Sequence, residues 1–128
     1  MTAPLREVVV VPGAGEGPQL DIVTGEGSAR AVIWPEMGAT LRSMHRISLG
    51  GDARTIELRH PSDAVYYVIS GDGTAVDRTT GERNALVEGS MVHVDAGTRY
   101  ELAAGGDGME LVGGPCPADA SLYEGTGD

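Results

Sequence analysis

The chain reads as an all-β protein, a sandwich or a barrel. Three observations say so. Short runs rich in Val, Ile, Thr and Tyr recur along it, Gly-containing clusters separate them, and no segment sustains apolar residues at helical spacing. In order, strands are expected at 7–11, 20–23, 29–34, 39–49, 55–59, 64–70, 74–77, 84–87, 90–94, 99–103 and 108–112. Turn chemistry marks the breaks at 70–73 (Ser-Gly-Asp-Gly), 80–82 (Thr-Gly-Glu) and 105–108 (Gly-Gly-Asp-Gly), where Gly and Asp accept the backbone angles that tight turns need. A flexible loop is expected at 13–17, and a Pro/Gly-rich tail from Gly113 that either frays or lies across the barrel.

Composition narrows the function classes. The 128 residues suit one domain, 1–128, able to bury a core without disulfides or structural metal. The net charge of −10 repels phosphate backbones and anionic lipid, so neither nucleic acid nor membrane is an expected partner. All nine cationic side chains are Arg, so no lysine is present for Schiff-base or pyridoxal chemistry. Cys116 is the only cysteine, which excludes an intrachain disulfide and a multi-cysteine metal site. The apolar run 8–11 is too short for a secretory core, no window reaches membrane-spanning length, and a cytoplasmic protein is expected.

Two stretches carry the argument further. The first runs Leu58-Arg59-His60-Pro61-Ser62-Asp63-Ala64-Val65-Tyr66-Tyr67-Val68-Ile69-Ser70-Gly71-Asp72-Gly73. The second runs from Gly89 through Gly97 to Tyr100 and Ala104. Together they resemble the two signature motifs of the cupin superfamily, at about 51–73 and 89–104, in the small conserved-barrel type. The motifs cover about a third of the chain. The resemblance implies a double-stranded β-helix, the jelly-roll barrel.

The same resemblance implies a divalent metal held by three His and one Glu. Carried over one at a time, those positions are Leu58, His60, Ala64 and Tyr100, so one ligand of the four survives. Leu and Ala donate nothing, and a stable divalent site needs three or four N, O or S donors. No cofactor is expected at the inherited positions. The fallback for a metal is His45, His60 and His93, should all three point inward.

Strand parity places Ile56, Leu58 and His60 on one face; the resemblance implies that this face lines the barrel, along with Ala64, Tyr66 and Val68, and with Tyr100 and Leu102. His60, Tyr66 and Tyr100 are the candidate acid–base residues. Leu58, Ala64, Val68, Leu102 and His93 are candidate ligand contacts. Each has a plainer alternative: His60 hydrogen-bonded to a neighbouring Tyr, Tyr100 a wall residue, and His45 and His93 structural histidines. Tyr67 and Asp63 should face outward, Trp34 should pack at a barrel end or an interface, and Cys116 has nothing local to activate it.

The resemblance implies three possible functions, which are carried forward. One is a metal-independent barrel that binds a small organic molecule and catalyses an isomerase, cyclase or lyase type of reaction. The second is a binding or sensing module without chemistry. The third is a metal-dependent dioxygenase with a relocated histidine site. The resemblance also implies a homodimer, paired through edge strands or a swapped N-terminal segment, for which the apolar run 8–11 is the candidate.

Overall fold

The computed structural model describes residues 8–12, 17–39 and 41–124. Among the described residues nine strands follow one another: β1 (Gln19–Leu20), β2 (Val23–Thr24), β3 (Gly27–Ile33), β4 (Met44–Leu49), β5 (Arg54–Thr55), β6 (Asp63–Asp77), β7 (Arg83–Val87), β8 (Met91–Val94) and β9 (Tyr100–Cys116). Single 3-10 turns lie at Pro35–Met37 and Ala120–Tyr123. All nine strands join one antiparallel sheet, in the order β1-β3-β4-β9-β5-β2, with β6 pairing β9, β7 and β8. The sheet curls into a nearly closed barrel.

Two long strands do most of the closing. Residues 64–70 and 74–77 are one strand, as are 99–103 and 108–112 apart from Arg99, which precedes it. The glycine clusters expected as turns at 70–73 and 105–108 are bends inside β6 and β9. The β6–β9 register shifts between Val68 and Ser70 and again between Gly71 and Gly73. Gly71 sits at a φ of 83°, and a Cβ there would strike the Gly108 carbonyl oxygen. Bulged, glycine-bearing strands bend sharply, which is how a long strand turns a barrel corner. The cluster at 80–82 is a true hairpin turn between β6 and β7, with Asp77 Oδ1 accepting the backbone N–H of Thr79 at 2.8 Å and of Thr80 at 3.1 Å.

Other expectations shift. Residues 8–12 are irregular, and Glu7 lies outside the described residues. The strand expected over 39–49 begins only at Met44. The strand expected over 55–59 ends at Thr55; Ile56 and Glu57 both face outward, so parity slips by one residue before Leu58 and His60 turn back in. Ile56 therefore does not share the inward face assigned to it. The tail from Gly113 does not fray there: residues 113–116 complete β9, and the 3-10 turn beyond them folds over one barrel mouth.

The register sorts the interior into levels. His45 and Tyr66 both lie opposite Gly113; Ile47 and Val68 lie opposite Leu111; Leu49 lies opposite Met109. One end of the barrel is thus aliphatic and the other polar. Among the described residues, no helix is long and apolar enough to cross a membrane.

Candidate functional site

The polar end is built by three local devices. An isolated antiparallel bridge joins Leu58 to Tyr100, with N–H to carbonyl distances of 2.8 and 2.9 Å in the two directions. It fixes His60, two residues on, beside the Tyr100 ring. Strand alternation in β6 turns Ala64, Tyr66 and Val68 inward and Tyr67 outward. The adjacent Gly113 and Gly114 then clear space. A Cβ on Gly114 would lie 2.7 Å from Ser43 Oγ and 3.0 Å from His45 Nδ1.

Four side chains form one continuous chain. Tyr66 Oη lies 2.6 Å from Tyr100 Oη, Tyr100 Oη lies 2.7 Å from His60 Nε2, and His60 Nδ1 lies 2.7 Å from Asp119 Oδ2. All four residues are at most 5% exposed. With a neutral imidazole the donors are determined. His60 donates its Nδ1 proton to the carboxylate, so Nε2 can only accept; Tyr100 donates to it, and Tyr66 donates to Tyr100.

The electrostatics follow from burial. Burial pushes the Tyr66 phenol up to about 12; the hydrogen bond with Tyr100 opposes this, and the charges Cys116 and Tyr123 would carry add to it. Tyr100 is raised further, by burial first and then by the charge and hydrogen bond of Tyr66 and by Asp119. For Asp119, burial alone would raise the carboxyl. The hydrogen bonds from His60 and from the Ser121 hydroxyl and backbone N–H, with the His60 charge, outweigh it and hold the group below its ordinary range.

A second polar pair sits alongside. His45 Nε2 lies 2.7 Å from Tyr123 Oη, and Ser43 donates to the Pro115 carbonyl at 2.7 Å. Burial, then the His60 charge, lowers His45 to about 4, so its imidazole is neutral in ordinary buffers. Among the described residues, no buried side-chain nitrogen or oxygen lacks a hydrogen-bond partner.

The structure brings His60, Tyr66 and Tyr100 together, with Leu58 and Ala64 facing the same interior and Val68 and Leu102 in the aliphatic level beyond. It does not bring His93 to them. His93 is exposed on the outer face of β8 and shares a 2.9 Å hydrogen bond with Asp95, so the set His45, His60 and His93 is not assembled. His93 instead lies near Asp63 and Asp95, whose ligand-type atoms are all within 4.8 Å of one another on the exposed surface. Sequence reasoning missed Asp119, Tyr123 and Ser43. Only Asp119 carried a local signal: an Asp two residues before Ser121 caps the last 3-10 turn, accepting the Ser121 N–H at 3.0 Å.

Outside the barrel, a cleft of about 680 Å³ runs beside that turn, with Asp21, Glu57, Arg59, His60, Leu122 and Glu124 on its walls. Of the four-residue chain it reaches only His60.

Solved structures match the whole architecture. A cupin-like protein from Thermotoga maritima superposes with a TM-score of 0.68 at 19% identity, over 88% of this chain and 82% of that one. The chain has the cupin fold. Ectoine synthase from P. lautus matches with a TM-score of 0.70 at 20% identity, over 95% of this chain and 88% of that one. The polyketide cyclase RemF from Streptomyces resistomycificus gives 0.65 at 16%, over 88% and 80%. No protein-family model and no curated protein matches the chain.

The cupin barrel invites a test of the metal positions. Leu58, His60, Ala64 and Tyr100 do converge on the interior, as the motif alignment implies. Their donor set does not fit a divalent metal. Two of the four offer no donor atom, and both nitrogens of His60 are already engaged, by Asp119 and Tyr100. The inherited centre of this cupin barrel is a hydrogen-bonded carboxylate–imidazole–phenol–phenol chain.

Proposed function

We propose that the polar end of the barrel binds a small organic molecule and moves a proton for it, in an isomerase, cyclase or lyase type of reaction that does not draw on a metal at the inherited positions. The observation that carries this is the unbroken chain from Tyr66 to Asp119, with every link at 2.6–2.7 Å. Its two proton states differ in direction. With His60 neutral, the chain donates towards Asp119, and a proton reaching the Tyr66 oxygen passes by way of Tyr100 to Nε2. The resulting imidazolium is paired with the Asp119 carboxylate. Run in reverse, Tyr66 donates to the substrate. The tyrosines are too weakly acidic to hold a phenolate, so they conduct the proton and His60 stores it. Taking a proton from one atom and returning it to another is the chemistry of isomerisation and of many cyclisations. Barrels of this fold named as a polyketide cyclase and an ectoine synthase support the class.

The binding-only reading draws on a separate observation: every buried polar side-chain atom described is already satisfied, as in a structural network. One experiment separates them. Small hydroxy and carbonyl compounds are screened by NMR for shifts at His60, Tyr66 and Tyr100, and hits are followed for hydrogen exchange from solvent into the bound compound. Catalysis predicts exchange that Tyr100→Phe abolishes while binding persists. Binding with no exchange in the wild type sinks the proton-moving role. An absence of hits at these residues sinks the site.

A further inference from the structure

Tyr66, Tyr100 and His45 of the polar end lie on strands, His60 and Ser43 lie on the segments leading into β6 and β4, and the remaining groups come from the 3-10 turn. That turn contributes Asp119 and Tyr123, and the two are fixed differently. Asp119 is buried, and its carboxylate takes one bond from His60 and two from Ser121 of its own turn. Tyr123 is half-buried on a turn with no buried residue of its own, and its hydroxyl is held only through neutral side chains, those of His45 and Ser43 among them. Charge-assisted bonds are roughly twice as strong as neutral ones. The Tyr123 ring is therefore the part of the polar end that yields first.

The surroundings of that ring are specific. It meets His45 edge-on, with centroids 5.7 Å apart at 74°, and Trp34 tilted, at 5.6 Å and 41°. Its hydroxyl meets His45 Nε2, and it lies close enough to Tyr66 to bear on that residue's ionisation. We propose that the Tyr123 ring stands where the ring of a neutral hydroxylated aromatic ligand binds, and that such a ligand displaces Tyr123 while Asp119 stays on His60. This deepens the small-molecule reading above and rests on it.

Three arguments give the ligand class. A phenol exchanges like for like: its hydroxyl replaces that of Tyr123, so His45 is not left buried without a partner, as it would be beneath a plain hydrocarbon. An aromatic ring recovers the contacts to His45 and Trp34, which a saturated ring forfeits. Charge excludes an anion, because His45 is neutral and the cleft beside the turn presents Asp21, Glu57 and Glu124 against Arg59. That cleft has Ser121, Leu122 and Glu124 of the turn segment in its wall, and so gives a ligand a route to the turn.

Trp34 is the only tryptophan, so its indole N–H is a single reporter beside Tyr123. The full chain is titrated with 4-propylphenol, 4-propylcyclohexanol and butyrate while that resonance and the amides of 43–45 and 119–123 are followed. The phenol should give a saturable shift and bind about ten-fold tighter than the cyclohexanol, the worth of two ring contacts. Tyr123→Phe, which keeps the ring and frees both His45 and Ser43, should bind the phenol at least about five-fold tighter than the wild type, the worth of one neutral hydrogen bond or more. Equal binding of the two rings, preference for butyrate, or a Trp34 resonance unmoved by the phenol in both proteins overturns the proposal. If other compounds still shift His60 and Tyr66, the small-molecule reading survives it; if nothing does, both fall.

Discussion

The two ends of the barrel are both buried and hold together by different means. At the aliphatic end Ile47, Val68, Leu102 and Leu111 are fully buried, with Leu49 and Met109 beside them. Their contacts are non-directional, so stability scales with area and each residue acts nearly alone. At the other end His60, Tyr66, Tyr100 and Asp119 are as deeply buried, but each has its partner determined by the next. A single change there leaves a named atom unpaired. The aliphatic end stabilises the fold, and the polar end is a device whose parts work in series.

Cutting the aliphatic end should cost most. Leu111 meets both β4 and β6 through its register partners Ile47 and Val68. Leu111→Ala removes transfer energy and leaves a cavity, for an expected loss of about 3 kcal/mol. Denaturant unfolding at neutral pH should show a lower midpoint with an unchanged slope. A loss under about 1 kcal/mol would mean that this end collapses around the hole and that the contrast between the ends is overdrawn.

The polar end should answer to pH instead. His45 is held to about 4 in the folded chain, against an ordinary value near 6.5 in the unfolded one. Between those values the unfolded chain binds a proton that the folded chain refuses, so stability falls as pH drops through about 6.5 and levels off near 4. The total is about 3 kcal/mol, from the size of that displacement. His45→Gln should flatten this limb of the stability–pH curve, whereas Leu111→Ala should shift the whole curve and keep its shape. Parallel curves for His45→Gln and the wild type would show that some other group titrates there.

Crowding gives a finer probe. Gly114→Ala puts a methyl group 2.7 Å from Ser43 Oγ and 3.0 Å from His45 Nδ1, and overpacking of this kind costs about 1–3 kcal/mol. Gly106→Ala meets nothing within 4 Å and should change stability by less than about 0.5 kcal/mol. If the two variants unfold alike, the glycine pair is not what makes room for His45.

This contrast also explains what the sequence could and could not reveal. The barrel was legible because strand alternation and glycine spacing are local patterns. Ala64, Tyr66, Val68, Tyr100 and Leu102 all face inward, as the motif resemblance implied. Local rules failed where the backbone departs from them. The parity slip at Ile56 and Glu57 and the bends at Gly71 and Gly108 depend on what each strand meets across the barrel. The convergence of His60 and Tyr100 was legible through the motif spacing. Asp119 and Tyr123 were not, because they reach the site from a turn 59 and 78 residues beyond their histidine partners. Pairings that distant are set by tertiary packing and leave no periodic trace.

A modest expected loss at the polar end tests the chain most directly. Asp119→Asn keeps the shape of the side chain and an oxygen that can accept, but removes the charge. It should cost about 1 kcal/mol at neutral pH, the difference between a charge-assisted and a neutral hydrogen bond. Its effect on His60 should be larger than its effect on stability. The carboxylate is what commits the Nδ1 proton, and without it the second imidazole tautomer becomes populated, which ring-nitrogen NMR shifts can read. The sign with pH is fixed as well. Asp119 is held below its ordinary value in the folded chain, so its contribution is complete above about pH 4 and disappears as pH falls through the lowered folded value. The Asn variant should lack that acid limb while keeping the His45 limb above it. Coincident profiles below pH 4, with an unchanged tautomer, would show that the carboxylate does not hold His60 and that the chain ends at the imidazole.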